Sequence, residues 1–307
     1  MSDTSPHQEA ARMFTSLVAR HSPLLGTDVL FRFEGPAARL PFAESVALAE
    51  IQRLNGIFSP SDANSEVRRW MRGEVAEPSE DLARVLWAAE DWYLGSEGAF
   101  HPSAARLRIA WQAAEQCQRA PSPADMAALA ATLELPFRSA RATGDLSGLD
   151  LNGFARGYIV DRALEAAWAT GLTQATMNVG GDVVHRGTPG VEFAIEDPLS
   201  SNDRAPHLVR ASLSNAAMAT SGRSRWRGFF VEGRWLGRVI DPRTGWPVEH
   251  CASASVIARN AMTAEALSIV ASVLEPKRAL EVLDSYGAEG FIASRSGHIS
   301  RSASWPS

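Results

Sequence analysis

The sequence predicts an α+β fold with a helix-rich first half and a strand-rich second half. Apolar residues recur at helical spacing in 43–54 and 79–95, whereas short β-branched and aromatic runs dominate after residue 174. Helices come first, and strands mixed with helices follow. This order differs from the strict βαβ alternation of a parallel sheet and favours the α+β class.

The chain begins with a polar stretch, 1–22, which we predict to be a short N-terminal arm or helix. A single domain is expected over 23–300, and a division into subdomains 23–140 and 148–300 is the alternative. The first strand is predicted at 27–33, where the run TDVLFRF is rich in strand-forming residues.

Helix signals fill most of the first half. Ser79 is placed to cap a helix whose first turn holds Glu80 and Asp81 and which ends at Gly95. Further helices are predicted at 43–54, 103–118 and from about residue 125, where Ser122 and Pro123 form a start signal.

Strand signals appear in the second half. Two short runs, 229–231 and 234–236, are separated by Glu232-Gly233 and predict a tight hairpin. The other predicted strands are 175–179, 191–195, 208–213 and 254–258, and helices are predicted at about 157–170, 262–275 and 277–286.

Composition excludes several classes of function. The 307 residues are 45% hydrophobic and carry a net charge of −5, so no basic face for nucleic acid or anionic lipid is expected. Cys117 and Cys251 stand alone, which fits neither a zinc site nor a disulfide framework. No apolar run is long enough for a transmembrane segment and no export signal is evident, so a cytoplasmic location is expected.

Six short polar clusters that contain Gly or Pro provide the evidence for function in this sequence. Taken singly, each is typical of a turn or of close backbone packing, and none is a P-loop or a GxGxxG fingerprint. The clusters are LGT at 25–27, SEGAFHP at 96–102, DLNGFARGYIVD at 150–161, NVGGD at 178–182, ATSG at 219–222 and DPRTG at 241–245.

The third cluster is the most informative physically. Gly153 and Gly157 allow close backbone approach where a helix begins, and the N–H groups of a helix start favour an anion. Arg156 adds a forked cation that can hold phosphate oxygens, and Asp150 can accept a hydrogen bond from a base or sugar. A phosphate-bearing ligand is one interpretation, and simple helix packing is the other.

Taken together and in order, these clusters and the helix AEAL at 264–267 resemble the ApbE family over residues 24–295. Members of that family are FAD:protein FMN transferases. The resemblance implies an ApbE-like mixed fold around a flavin cleft. It also implies Mg²⁺-assisted transfer of FMN from FAD to a Thr or Ser hydroxyl of a target flavoprotein, with release of AMP.

The resemblance also implies site residues. The metal position falls on the Gly153 carbonyl, Glu265 and Ser268, and Arg238, Asp241 and His101 fall at the catalytic centre. Asp182, Thr220, Ser221, Asp241 and Thr244 shape the cleft. The flavin contacts fall on Leu25, Phe58, Ala99, Phe100, His101, Asp150, Arg156 and Val239. For Phe58, packing on the flavin ring and a half-buried loop anchor are equal alternatives.

Several positions depart from the family pattern. His101 stands where the family has Asp, Arg156 where it has Lys, and Arg238 where it has the His that would activate the acceptor hydroxyl. A guanidinium cannot take a proton near neutral pH, which leaves His185 and His250 as weaker alternatives for a base.

The metal helix departs as well, because Glu265 and Ile269 replace Asp and Thr. Ile269 offers no oxygen, so a weakened Mg²⁺ site is expected.

Three alternatives stay open at this point. The first is an FAD-binding protein that no longer transfers FMN, and the second is a Mg²⁺-dependent FAD pyrophosphatase. The third is an α+β domain without flavin. Covalent flavin, free AMP and bound FAD are the observations that separate them.

Overall fold

The computed structural model describes residues 14–200, 207–222 and 228–306. Its helices are α1 (Leu40–Phe58), α2 (Glu66–Met71), α3 (Glu80–Gly95), α4 (Ala105–Cys117), α5 (Pro123–Ala131), α6 (Ala155–Trp168), α7 (Ala261–Val273) and α8 (Pro276–Ser285). Its strands are β1 (Phe14–Leu24), β2 (Thr27–Pro36), β3 (Phe137–Arg138), β4 (Arg141–Ala142), β5 (Gln174–Val179), β6 (Asp182–Gly187), β7 (Val191–Ile195), β8 (Val209–Leu213), β9 (Ala216–Gly222), β10 (Gly228–Val231), β11 (Arg234–Gly237), β12 (Ile240–Asp241), β13 (Trp246–Pro247), β14 (Cys251–Ala258), β15 (Glu289–Ser294) and β16 (Ile299–Arg301).

One eight-stranded sheet organises the molecule, in the order β1-β2-β5-β6-β9-β14-β15-β16. Every neighbouring pair in it is antiparallel. The sheet combines strands from 23–140 with strands from 148–300, since β2 pairs with β5. The α+β class predicted from the sequence is confirmed.

The main core lies between one face of this sheet and helices α1, α6 and α7. Phe31 and Phe33 of β2 are fully buried on that face, opposite Ile51 and Leu54 of α1. Alternate residues of a strand point to opposite faces, which explains why Val184 joins this core while Val183 joins another cluster. That other cluster packs the β7–β8 hairpin and Trp305 against β6, β9 and β15.

A smaller core joins α4 and α5 to the β10–β11 hairpin. Trp111 of α4 is fully buried there, and its Nε1–H donates to the Gly245 carbonyl at 2.8 Å. This contact anchors the DPRTG turn to the helical part of the molecule. The turn itself forms as predicted, with the Gly245 N–H donating to the Asp241 carbonyl at 2.8 Å.

The prediction of an arm or helix over 1–22 is wrong for residues 14–22, which belong to β1, and residues 1–13 lie outside the described part. In β1, half-buried Leu17, Ala19 and His21 alternate with exposed positions. The sequence does not show this period, because exposed positions include the apolar Val18 and half-buried ones include the polar His21.

Strands β6, β9 and β15 were absent from the sequence-based prediction. β9 includes the ATSG cluster, which we had expected to form a turn or a phosphate contact. Small residues such as those of β9 have weak strand propensity and are placed by the neighbouring strands instead. No helix within residues 14–200, 207–222 or 228–306 is long and apolar enough to cross a membrane.

Candidate functional site

Three of the six clusters and the AEAL helix contribute to one constellation centred on Arg156. This side chain stands in the first turn of α6, between Asp182 at the start of β6 and Glu265 in α7. Its Nη2 donates to Asp182 Oδ2 at 2.7 Å and lies 2.9 Å from Glu265 Oε1, and its Nε donates to the same Glu265 oxygen at 3.0 Å. Arg156, Asp182 and Glu265, which lie far apart in the sequence, are therefore in contact.

The outer oxygens of the two carboxylates are also engaged. Glu265 Oε2 accepts the Gly157 N–H at 2.9 Å, and Asp182 Oδ1 accepts the Thr220 N–H at 3.1 Å. The helix start that we expected to offer its N–H groups to an anion thus gives one of them to Glu265. A carboxylate is well suited to this position because the helix dipole favours negative charge there.

The constellation has one negative charge more than its guanidinium neutralises. Burial raises the pKa of Glu265, and the neighbouring Asp182 raises it further, while Arg156 opposes both effects. Burial likewise raises the pKa of Asp182, against the opposing effect of Arg156. Two carboxyl groups that share one cation retain a proton more readily than isolated ones do.

Helices α6 and α7 cap each other through carboxylates. Glu265 of α7 accepts from the α6 start, and Asp161 of α6 accepts the N–H groups of Ala261 and Met262, at 2.7 and 3.0 Å, at the α7 start. Burial raises the pKa of Asp161 to about 7, although both N–H groups oppose the shift. This reciprocal capping fixes Glu265 relative to Arg156.

Hydroxyl groups lie at the interface between α7 and the sheet. Ser221 Oγ lies 2.7 Å from Ser268 Oγ, and the Ser268 hydroxyl donates to the Glu265 carbonyl at 2.8 Å. Thr220 Oγ1 lies 2.8 Å from Ser255 Oγ on the neighbouring strand. Ser268, a predicted metal ligand, is therefore already hydrogen-bonded on both sides.

The EGAFHP and DLNGFARGYIVD clusters meet next to this constellation. The Asp150 N–H donates to the Pro102 carbonyl at 2.8 Å. The Asp150 carboxylate accepts from Arg108 Nη2 at 2.9 Å and from the Asn152 N–H at 3.0 Å. The sequence did not predict Arg108 as a site residue, because its partner Asp150 lies 42 residues away and no local pattern in α4 indicates the pair.

His101 lies in the same loop and is half-buried. Its Nδ1 accepts the Ser103 N–H at 3.0 Å, so the proton of the neutral ring sits on Nε2. That Nε2 is buried and meets no hydrogen-bond acceptor among the described residues. Burial lowers the pKa of His101 to about 4. The ring thus has a donor to offer and no free lone pair with which to take a proton.

We expect the stability of the protein to fall between about pH 6.5 and about pH 4 because of His101. The folded pKa lies below the unfolded one, so the unfolded chain binds the proton first, at a cost of up to about 3 kcal/mol. His101→Asn, whose amide oxygen can still accept the Ser103 N–H, should not show this part of the stability loss on acidification. Urea unfolding across this pH range tests the expectation, with exposed His298→Asn as the control. Parallel pH curves for wild type and His101→Asn would contradict it.

The predicted flavin-contacting aromatics are largely core residues. Phe100 packs edge-on against Trp92 and Phe154, at centroid distances of 5.8 and 5.3 Å. Phe58 is only 5% exposed and meets Tyr158 edge-on at 5.8 Å. For Phe58 the structure therefore favours the anchoring interpretation, since its ring contacts the core.

The remaining predicted residues differ in their surroundings. Asp241 is held by its own turn, where Arg243 Nε and Nη2 donate to its two oxygens at 2.8 Å each. Arg243 also lies beside the EGAFHP loop, 3.6 Å from where a Gly98 Cβ would stand. Ala99 is buried, Arg238 is exposed, and Leu25 and Val239 are half-buried against the main core.

The histidines that could have replaced the missing base do not reach the constellation through any described hydrogen bond. His185 is buried with both nitrogens engaged, by Thr176 Oγ1 at 2.9 Å and the Gly187 carbonyl at 3.2 Å. His250 lies 3.4 Å from the Leu274 carbonyl. His185 is satisfied as a core histidine.

The residues at the predicted metal position do not fit Mg²⁺ as they stand. Both Glu265 oxygens and the Ser268 hydroxyl are hydrogen-bonded within the protein. The Ile269 side chain reaches to 3.0 Å from a Gly153 Cβ position, which places hydrocarbon beside that residue. Within the described ranges, no group of three His, Cys, Asp or Glu residues is arranged to hold a metal ion.

Comparison with known proteins agrees with this fold. The model described as "ApbE family" matches residues 25–292, and the chain belongs to that family. It is 28% identical over 279 residues to the FAD:protein FMN transferase of Haemophilus influenzae, covering 83% of this chain and 80% of the relative. It is 30% identical over 155 residues to the Escherichia coli K12 protein of the same name, covering 48% of this chain and 43% of the relative.

A solved structure, that of the ApbE protein of Thermotoga maritima, superposes with a TM-score of 0.79 at 26% identity. This match covers 94% of the chain and 97% of that structure. The apo flavinyl transferase ApbE of Pseudomonas stutzeri gives a TM-score of 0.72 at 21% identity and covers 94% and 96%, which shows the shared fold. The family resemblance drawn from the six clusters is confirmed.

Proposed function

We propose that this chain is an FAD:protein FMN transferase, as its relatives from H. influenzae and E. coli are named. The observation that carries the proposal is the Arg156 constellation, which unites three family clusters and the AEAL helix around a forked cation suited to phosphate oxygens. FAD is the donor substrate, and a target flavoprotein with a Thr or Ser hydroxyl is the partner.

In the reaction, the acceptor hydroxyl oxygen forms a bond to the phosphorus of the FMN phosphate. The bond from that phosphorus to the bridging oxygen breaks, AMP leaves with the bridging oxygen and the electron pair, and the hydroxyl proton is released. Positioning and charge neutralisation carry most of such catalysis. Arg156 supplies the fixed positive charge, and Asp150 is a polar group for the flavin nucleotide.

No base is assigned among Arg238, Asp241 and His101, the three residues expected at the catalytic centre. A guanidinium does not accept a proton, Asp241 is paired with Arg243, and His101 has no free lone pair. Without a general base, the rate of transfer to the hydroxyl falls by about 10²–10⁴-fold, but the contribution of positioning remains. We therefore propose a slow transferase.

Magnesium belongs to this proposal only as an expectation from the family. The donor set described above does not fit Mg²⁺, so no step of the reaction is assigned to the ion. A cytoplasmic location likewise stays a prediction of the sequence.

The decisive experiment incubates the protein with FAD and a candidate flavoprotein acceptor. Covalent flavin on the acceptor together with equimolar AMP supports transfer. AMP without covalent flavin would instead identify an FAD pyrophosphatase, and bound FAD without AMP would identify a binding protein. A lack of FAD binding would contradict the flavin assignment altogether.

Arg156→Gln should weaken FAD binding by about 10- to 100-fold, the contribution of one or two hydrogen bonds to a charged group. Quenching of flavin fluorescence on titration measures the affinity, and circular dichroism checks that the variant is folded. Arg186→Gln is the matched control, because Arg186 is exposed and stacks on Trp168 at 4.8 Å instead of facing the carboxylates. Equal affinities of Arg156→Gln and wild type would remove Arg156 from the FAD site.

A further inference from the structure

The spacing of the two carboxylates around Arg156 is that of an organic cation. The facing oxygens, Asp182 Oδ2 and Glu265 Oε1, lie 2.7 and 2.9 Å from the same Nη2 atom. Charge-assisted N–H···O bonds have these lengths, whereas Mg²⁺ requires oxygens at about 2.0–2.1 Å in a near-octahedral shell. Nη2 thus occupies the point at which the two carboxylates converge.

The surroundings leave little with which to complete a metal shell. The outer oxygens of both carboxylates accept backbone N–H groups, from Gly157 and Thr220. Hydrogen bonds within the described residues engage Nε and Nη2 of Arg156, so that its Nη1 edge is available for a phosphate oxygen. Arg156 is 33% exposed, which keeps that edge accessible to a ligand.

We propose that the Arg156 guanidinium is the resident cation of this site and that FAD binds to this chain without a divalent metal ion. The proposal rests on the proposed function for its choice of ligand. A divalent ion bound between the two carboxylates would compete with the guanidinium for Asp182 Oδ2 and Glu265 Oε1. Removing the guanidinium should therefore create a cation site, because the buried Glu265 and the half-buried Asp182 would lose their shared cation.

The first test uses the wild-type protein. FAD is titrated in buffer with EDTA and in buffer with millimolar Mg²⁺, with calorimetry as the readout. We expect the two affinities to agree within about threefold, less than one charged hydrogen bond contributes. Tightening by tenfold or more on adding Mg²⁺ would overturn the proposal. If FAD binds in neither buffer, the proposed function itself is contradicted.

The second test measures Mn²⁺ binding, detected by the loss of the free-ion electron paramagnetic resonance signal. Wild type should bind Mn²⁺ weakly, and Arg156→Gln should bind it at least about tenfold more tightly, since charge count sets affinity in oxygen sites. In the same variant, Mn²⁺ should restore part of the FAD affinity that is lost in EDTA.

The matched control is the double variant Arg156→Gln with Glu265→Gln, which should lose the new ion site. Tight Mn²⁺ binding by wild type, or no gain in Arg156→Gln, would show that the guanidinium does not occupy a cation position. If Arg156→Gln does not fold, the wild-type titrations still decide the proposal, and Arg156→Lys gives the intermediate case of a cation without a fork.

Discussion

Arg156→Gln is expected to lower the free energy of unfolding by about 3 kcal/mol at pH 8, the lower end of the range for a broken buried ion pair. The lower end applies because the side chain is 33% exposed. The substitution leaves Asp182 and Glu265 facing each other without a cation. Urea unfolding gives the measurement, and Arg84→Gln is the control, since its ion pair with Glu80 is exposed and worth less than about 1 kcal/mol.

The loss in Arg156→Gln should depend on pH in a defined direction. Burial already raises the pKa of Glu265 and Asp182 above their unfolded values, and removing Arg156 raises both further. A folded state that holds protons more tightly than the unfolded chain loses stability as the pH rises. The deficit should therefore be smaller at pH 5 than at pH 8. A deficit that grows on acidification would contradict the charge balance described for this site.

Gly157→Ala is expected to destabilise the protein by about 1–3 kcal/mol, and by more if the helices cannot shift. A Cβ at this position would lie 2.6 Å from the Ala261 carbonyl carbon and from the Met262 nitrogen. Both are backbone atoms, so α6 and α7 would have to separate. Separation would also lengthen the hydrogen bond from the Gly157 N–H to Glu265.

Gly56→Ala provides the matched control for Gly157→Ala. Gly56 also lies in a helix, α1, but a Cβ there would meet nothing within 4 Å. Alanine should therefore stabilise the protein by about 0.5–1 kcal/mol at this position. Thermal unfolding of both variants measures the contrast. Similar melting temperatures for the two would show that the close contact between α6 and α7 is not a constraint.

Much of the helical structure was readable from local signals. The predicted helix over 79–95 agrees with α3 because Ser79 does accept the Leu82 N–H, and acidic residues do fill the first turn. The predicted 157–170 and 262–275 agree with α6 and α7 within two residues at each end. Strand β1 was not predicted because its apolar and polar residues do not alternate, with Val18 exposed and His21 half-buried. Strand β9 was not predicted because its small residues have little strand propensity.

Three of the six clusters and the AEAL helix supply the residues of the Arg156 constellation, but the sequence did not indicate how those residues contact one another. Arg156 and Asp150 were expected to face a phosphate and a nucleotide. In the structure each is first paired with a residue distant in sequence, Glu265 for Arg156 and Arg108 for Asp150. The reciprocal capping by Asp161 was not predicted either, because its two N–H partners lie 100 and 101 residues further along the chain.

By itself, the sequence determined the class of fold, most helices, the DPRTG turn and membership of the ApbE family. The fold class, the helices and the turn depend on periodicity, caps and turn chemistry, which act over a few residues, whereas family membership follows from the order of the clusters. Tertiary structure alone decided that a guanidinium lies between two carboxylates where a metal site was expected. That outcome depends on where α6, α7 and β6 meet, which is set by packing and not by residue type.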